Sequence, residues 1–177
     1  MPFLSVLGQA PRFSSIEEEA FLNLVQTVDT LSRPIEALFK PSGLSSTQFN
    51  VLRILRSAGD NGLACGQICE QMITRDPDMT RLLDRLEKRQ LIVRSRDGND
   101  RRVVRARISP IALALLAALD APLKEMHRRQ LRHMNQDRLR ALIELLEQAR
   151  GENQAGTENP VNPGDANHPH FPKEGSP

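Results

Sequence analysis

One stretch of the chain, residues 76–108, constrains the fold more than any other. It begins with Asp76-Pro77, continues with apolar side chains at helical spacing, and ends in two short β-prone runs around a Gly/Asn turn. The apolar positions are Met79, Leu82, Leu83 and Leu86. This three-to-four spacing predicts an amphipathic helix with one buried face. Asp as N-cap and Pro at the first helical position predict that the helix begins at Asp76.

The segment after this helix predicts a β-hairpin. Residues 92–96 and 102–108 are β-prone, and the turn between them contains Asp97, Gly98, Asn99 and Asp100. Arginines crowd both strands, at Arg94, Arg96, Arg101, Arg102, Arg105 and Arg107. Like charges on facing strands would destabilise the hairpin unless a polyanion offset them. A helix that fits the major groove, with such a hairpin beside it, predicts binding to double-stranded DNA.

The charge distribution supports a polyanionic partner. Residues 75–107 hold eleven Arg or Lys and six Asp or Glu, a net of +5, whereas the whole chain carries only +2. A basic face of this kind is the usual electrostatic footprint of phosphate binding. No Ser-His-Asp set, phosphate-cradling Gly loop, paired-carboxylate pocket or metal-ligand cluster is apparent in the sequence. We therefore expect no catalytic residues, no metal site and no cofactor, and hence a non-enzyme.

The predicted DNA contacts lie on the helix and on the hairpin. On the helix they are Asp78, Thr80, Arg81, Asp84, Arg85 and Lys88; on the hairpin they are Arg94, Arg96, Asp100, Arg101 and Arg102. Arg81 and Arg85 are expected to reach bases or nearby phosphates, and Arg101 or Arg102 to enter the minor groove. Asp97 and Asp100 would hold neighbouring guanidiniums. The alternative for Arg81 and Arg85 is surface ion pairing, which contributes only ~0–1 kcal/mol per pair.

Local signals divide the rest of the chain. Capping boxes are predicted at Ser15 with Glu18 and at Ser45 with Gln48. A short helix is expected at about 64–72, and Ser109-Pro110 should begin a long helix. Within the long helices, Pro34 should kink or divide the first and Pro122 should bend the later one. Asn135 or Gln136 should begin a last helix that Gly151 closes.

The two cysteines, Cys65 and Cys69, lie four residues apart on one predicted helix face. They lack the two further ligands of a zinc site, and this spacing suits a disulfide poorly. Cys69 is expected to fill a small core position. Cys65, near a helix N-terminus where a thiol pKa can fall, keeps a redox role open. The sequence contains no run near the ~20 apolar residues of a membrane span and no signal-peptide pattern. We expect a cytoplasmic protein without a membrane partner.

Three segments give the chain a specific resemblance to MarR-family transcriptional regulators. Residues 44–52 resemble the family's opening core helix, residues 76–89 its recognition helix, and residues 94–102 its wing with an Asp-x-x-Asp-Arg-Arg run. Gln90 departs from the Gly that usually closes the recognition helix. The resemblance implies a mostly α fold with a small β-hairpin wing, a winged helix-turn-helix domain flanked by long N- and C-terminal dimerisation helices.

The resemblance and the composition together give the expected organisation. The expected parts are a mobile N-terminal arm (1–13), an N-terminal dimerisation helix (14–43), the winged helix-turn-helix domain (44–109), C-terminal dimerisation helices (110–150) and a disordered tail (151–177). The arm is predicted because it has no apolar period, and the tail because it is rich in Pro, Gly and Asn. The implied function is a homodimeric regulator, a repressor in most such proteins, that reads a pseudo-palindromic operator and is released by a small-molecule or redox signal. The apolar stripes of the long helices fit an intramolecular core equally well. A winged-helix protein-interaction module without DNA reading is the alternative function.

Overall fold

A computed structural model describes residues 13–74, 78–96 and 102–155. Within these ranges the helices are α1 (Ile16–Phe39), α2 (Ser46–Ala58), α3 (Cys65–Gln71), α4 (Met79–Lys88), α5 (Pro110–Leu131) and α6 (Gln136–Ala155). The strands are β1 (Leu63–Ala64), β2 (Ile92–Arg96) and β3 (Val104–Ile108). This mostly α chain with a small antiparallel sheet has the predicted fold class. It forms two compact units that divide after Leu131.

The core of the first unit lies where α2, α4, α5 and the sheet meet. Its fully buried side chains include Leu52, Leu55, Ile68, Leu86, Ile92 and Leu116. The predicted inner face of α4 is confirmed, since Met79, Leu82, Leu83 and Leu86 are all buried. At the edge of this core the Phe39 and Phe49 rings stack with centroids 4.5 Å apart. The helix-turn-helix part of the chain thus buries its own apolar face without help from another molecule.

The sheet has the strand order β1-β3-β2, and both pairings are antiparallel. Its register places Leu63 opposite Ala106 and Ile92 opposite Ile108. The second wing strand begins at Val104 rather than at residue 102, and the predicted turn at 97–100 lies outside the described residues. β1 was not predicted, because two residues are too short for alternation to show in a sequence.

Two predicted helix caps are confirmed and a third is half correct. Ser45 and Gln48 form the reciprocal capping box of α2, and the Ser109 hydroxyl accepts from the Ala112 amide at 3.2 Å to cap α5. Ser15 caps α1 by accepting from the Glu18 amide. The Glu18 carboxylate, however, accepts from the Ser14 amide and hydroxyl rather than from the Ser15 amide. Ser14 offers the Glu18 carboxylate two donors, which explains why this carboxylate does not accept from the Ser15 amide.

Several predicted helix boundaries were wrong. α4 begins at Met79 with Asp78 as its N-cap, not at Asp76; residues 76 and 77 themselves lie outside the described ranges. Both acids suit an N-cap, and the sequence could not rank them. α1 continues through Pro34, so the alternative that Pro34 divides it is wrong, and α5 continues through Pro122. A kink at Pro34 and a bend at Pro122 stay predictions. Each proline removes one backbone donor, and the neighbouring hydrogen bonds hold the helix together.

The second unit contains α6, which the Asn135 side chain caps by accepting from the Arg138 amide at 2.9 Å. α6 continues past Gly151 to Ala155. Gly151 does not have the positive φ of a left-handed C-cap, so it does not end the helix. None of the α6 side chains that the structure describes, at 136–151, is buried. Ile143 and Leu145 are 54% and 63% exposed. In the described ranges no helix has the length and apolar character needed to cross a membrane.

Candidate nucleic-acid interface

The outer face of α4 is exposed and basic. Thr80, Arg81, Arg85 and Lys88 are all exposed on it, opposite the buried leucines. Asp78, at the helix N-cap, accepts from the Arg81 amide at 3.3 Å and also pairs with the Arg81 guanidinium at 3.3 Å. The Arg81 side chain remains 81% exposed in this pair. The alternative of a surface ion pair therefore exists for Arg81, and it leaves the guanidinium open to solvent.

Arg94 joins the wing to α4 through two carboxylates. Its guanidinium contacts Asp84 at 2.5 Å and Glu87 at 2.6 Å, and its amide donates to Glu87 at 3.3 Å. We call Asp84, Glu87 and Arg94 the Arg94 clamp. The hydrogen bond that Arg94 donates to the Glu87 carboxylate raises the pKa of Arg94 above its ordinary value, against a smaller opposing effect of burial. The Arg94 side chain is only 26% exposed.

The clamp places Asp84 and Arg94, both predicted to contact DNA, in an interaction within the protein. Glu87 is a functional candidate that the sequence reasoning missed. The strand pattern offered a signal for these partners. Ile92 and Arg94 are two residues apart in β2 and therefore lie on the same face of the strand, and Ile92 is buried. That face points toward the core, so Arg94 needed partners near α4.

In the paired strands that the structure describes, no wing arginine lies directly opposite another arginine. Arg94 faces Ala106, Arg96 faces Val104, Arg105 faces Ser95 and Arg107 faces Val93. The expected clash of like charges across the hairpin is therefore wrong for direct cross-strand pairs. Arg96 and Arg102 are exposed where the described strands end, and Asp100 and Arg101 lie outside the described residues.

The C-terminal end of α4 is tied to the segment that follows α1. Arg89 donates to the carbonyl oxygens of Gly43 at 2.6 Å and Ser42 at 2.8 Å. Just after it, Gln90 takes a left-handed conformation with φ +57°. The Leu91 amide then donates to the Leu86 carbonyl at 3.0 Å, which closes the helix. The C-terminal end of α4 is thus fixed relative to the segment that follows α1.

A cavity of about 360 Å³ lies between α1, α2 and α5. Its lining combines apolar side chains with polar groups: Ile35, Phe39, Phe49, Leu123, Asn50, Arg53, Arg56, Asp120 and His127 are among them. Arg56 and Asp120 form a bidentate pair at 2.8–3.1 Å across one end. Arg53 donates to the Asn50 side chain at 3.0 Å. This cavity could not be predicted from the sequence, because its walls are far apart along the chain.

Cys65 lies at the start of α3 and is half-buried, whereas Cys69 is exposed and not in the core position expected for it. Burial raises the pKa of the Cys65 thiol, and the neighbouring Cys69 thiol raises it further. The expectation of a lowered pKa at this helix end was therefore wrong. Desolvation of the thiolate outweighs the effect of the nearby positive Arg94.

The exposed basic helix and the hairpin beside it define a winged helix-turn-helix DNA-binding protein. The MarR family model matches residues 44–104. The HTH-type transcriptional regulator MhqR of Bacillus subtilis (strain 168) is 35% identical over 74 residues, which are 42% of this chain and 50% of that protein. The match thus spans half the length of this curated relative.

Solved structures extend the similarity over most of the chain. A MarR transcription factor from Planctomyces limnophilus is 41% identical, with 77% of this chain and 98% of that chain covered and a TM-score of 0.59. The organohalide-sensing regulator RdhR-CbdbA1625, in its 2,4-dichlorophenol-bound form, shares the fold at 20% identity, with 87% and 92% covered and a TM-score of 0.75. The chain belongs to the MarR family and is a transcription regulator with a DNA-binding winged helix.

Proposed function

We propose that this regulator is a homodimeric repressor that reads a pseudo-palindromic operator and leaves it when a small molecule binds. The observation that carries the proposal is the exposed face of α4, where Thr80, Arg81, Arg85 and Lys88 stand beside the wing. A basic helix face of this width fits the major groove, and a hairpin next to it reaches the flanking backbone or minor groove.

We assign different tasks to the basic residues according to their surroundings. Arg81 and Arg85 would contact base edges or phosphates, and a bidentate arginine–guanine contact adds ~1–3 kcal/mol of discrimination. Thr80 and Lys88 would contact the backbone beside them. Arg96 and Arg102, near the described ends of the wing strands, would follow the DNA backbone or enter the minor groove. Arg101, which lies outside the described residues, is proposed for the same task, and Asp100, also outside them, is proposed to hold a neighbouring guanidinium rather than to face phosphate.

Asp84 and Arg94 would act by position rather than by direct contact. A DNA contact from Arg94 would require it to leave two carboxylates at 2.5 and 2.6 Å. Removing one partner of such a network leaves the others with unbalanced charge. We therefore propose that the Arg94 clamp holds the wing at a fixed distance from α4, and that Asp78 orients Arg81 in a similar way.

The dimer proposal rests on apolar surface that the described chain does not cover. α1 exposes Ile16, Phe21, Val25 and Val28 by 50–71%, and Phe39 is the one α1 residue in the described structure that is buried. A second copy would cover such a stripe, and a two-fold axis would place two α4 helices about one helical turn of DNA apart.

The cavity between α1, α2 and α5 is the proposed effector site. Its apolar walls suit an aromatic ring, and Arg53 and His127 suit a phenolate or carboxylate on that ring. Dichlorophenol is bound in the RdhR-CbdbA1625 structure, and 6-hydroxynicotinic acid regulates DNA binding by Bordetella bronchiseptica BpsR. We propose an aromatic acid or phenol as effector here. Release of the regulator from DNA by oxidation of Cys65 is the second proposed route.

The deciding experiment measures binding of the purified protein to DNA upstream of its own coding region and to an unrelated duplex, at about 50 and 200 mM salt. We expect preference for the upstream DNA and a steep loss with salt. Arg85→Ala should lower the affinity at least about tenfold, since one good base contact is worth ~1–3 kcal/mol. Arg138→Ala, an exposed arginine on α6, is the matched control.

Equally weak binding to both duplexes would overturn operator reading by this region and favour a protein-interaction module. Repression is tested separately by transcription from the bound promoter with and without the protein. The effector proposal is tested by adding phenols and aromatic acids to the preformed complex. Arg53→Gln should abolish release by an active compound while the DNA affinity without that compound stays the same.

A further inference from the structure

The two thiols of α3 form a pair that the proposed DNA reading does not use. Cys65 and Cys69 are four residues apart in Cys65–Gln71, which places them on one face one helical turn apart. Both are free. Two thiols on one helix face, one turn apart, can bind one soft atom between them.

The surroundings of the pair leave room for a bound atom. Cys65 lines a cavity of about 240 Å³ with Thr80, Leu83, Arg94, Val104 and Ala106. Its walls are mostly apolar, and the Arg94 guanidinium provides a positive charge beside the sulfur. Cys69, one turn further along, is exposed and gives an ion in solvent its first contact. Cys65 lines this cavity and Cys69 does not, so an atom held by both sulfurs would lie beside α3, next to the cavity.

The number of ligands narrows the kind of atom. Among the described residues, no group of three or more His, Cys, Asp or Glu side chains is placed to hold a metal ion. Zinc requires four ligands, usually from the protein in a structural site. Thiolates select soft ions such as Cu(I), which accepts two sulfurs in a linear arrangement. Trivalent arsenic also bonds two thiols strongly.

We propose that Cys65 and Cys69 form a dithiol site for a single thiophilic atom, Cu(I) or trivalent arsenic. On binding Cu(I), each thiol loses its proton, two S–Cu bonds form, and two protons go to solvent without any change of oxidation state. With phenylarsine oxide, two S–As bonds replace the As–O bond, and the oxygen leaves as water with both thiol protons.

The test uses the full, reduced chain with phenylarsine oxide and, separately, with Cu(I) under anaerobic competition with a chromophoric chelator. We expect the wild type to retain one equivalent per chain of at least one of the two after gel filtration, and a small dithiol to release the arsenical. Cys69→Ser should lose this retention. Its side chain is exposed, so the variant should fold, and thermal unfolding checks this. Cys65→Ser should behave in the same way.

Three results would overturn the site. Retention of neither probe by the wild type would show that the sulfurs do not act together. Equal retention by Cys69→Ser would show that Cys65 binds alone, and half an equivalent per chain would place the bound atom between two copies. Binding is read without DNA, so failure here is distinguishable from failure of operator binding.

Discussion

The helix-turn-helix module and the long helices around it differ in how completely they bury their apolar residues. In the module, α2 and α4 bury six and four residues, and Leu52, Leu55 and Leu86 have no exposed surface. In α1, Val25 and Val28 are 50% and 63% exposed, and Leu145 of α6 is 63% exposed. The module is stabilised within one chain. The long helices present apolar surface of the kind that monomeric proteins usually cover.

This difference implies two separable stabilities. Variants in the module should change unfolding of the single chain, whereas variants on α1 should change association and leave the module folded. Four variants test whether the stability of the module is separable from association through α1. They are ordered from the largest expected effect to the smallest.

Phe21→Asp with Val28→Asp should have the largest effect. Both side chains are more than 60% exposed in the single chain, so the charges cost little there. In a dimer each unpaired carboxylate would cost several kcal/mol, and the dissociation constant should rise at least about a thousandfold. Sedimentation equilibrium measures it. Asn23→Asp with Gln26→Asp, on the other side of α1, is the control, and an unchanged dimer in the first variant would refute the α1 interface.

Leu86→Ala tests the module itself. Leu86 has no exposed surface and lies in the common core, so the free energy of unfolding should fall by about 2–5 kcal/mol. Denaturant unfolding measures this change. Val93→Ala is the control, because Val93 is 57% exposed and should change the free energy by less than about 1 kcal/mol. Equal effects of the two substitutions would contradict the assigned core.

Gly62→Ala tests the contact between β1 and the wing. Gly62 has φ +59°, and an added Cβ would lie 2.5 Å from the Ala106 carbonyl oxygen. Strain in this conformation should lower the free energy of unfolding by about 1–3 kcal/mol. Gly66→Ala is the matched control: its Cβ meets no atom within 4 Å, and in a helix the change should stabilise by ~0.5–1 kcal/mol. If both substitutions changed the free energy of unfolding in the same direction, the close approach of Gly62 to the Ala106 carbonyl oxygen would be ruled out.

Gln90→Gly should have the smallest effect, and it should stabilise. Gln90 has φ +57°, a left-handed conformation that costs a non-glycine residue ~1–2 kcal/mol, part of which the greater chain entropy of glycine offsets. We expect a net gain of about 0.5–1 kcal/mol, measured as a higher Tm. Gln71→Gly, at the end of α3, should destabilise instead. A loss of stability in Gln90→Gly would mean that the Gln90 side chain makes a compensating contact.

The sequence predicted best what depends on neighbouring residues. The caps at Ser45 and Ser109 involve side chains within three residues, and the inner face of α4 follows from a single helical period. It predicted poorly where two equivalent signals compete, as Asp76 and Asp78 do for the start of α4. Such a choice depends on tertiary packing, which a local pattern does not contain.

The candidate site followed the same rule. The exposure of Arg81 and Arg85 was predictable from helix periodicity, because the buried leucines fix the opposite face. The partners of Arg94 were not, since Asp84 and Glu87 lie ten and seven residues away along the chain. Strand register also decided which arginines face one another, and register depends on the turn and on core packing together.

The Arg94 clamp has a consequence for the DNA as well as for the protein. Because Arg94 ties β2 to α4 through two carboxylates, the distance between α4 and β2 is set within the protein, and under the proposed function it is set before DNA is bound. A duplex whose grooves do not match that distance must bend or narrow, and the energy of doing so depends on its base steps. Positions that no side chain touches, between the helix and wing contacts, would therefore still affect which operator is preferred.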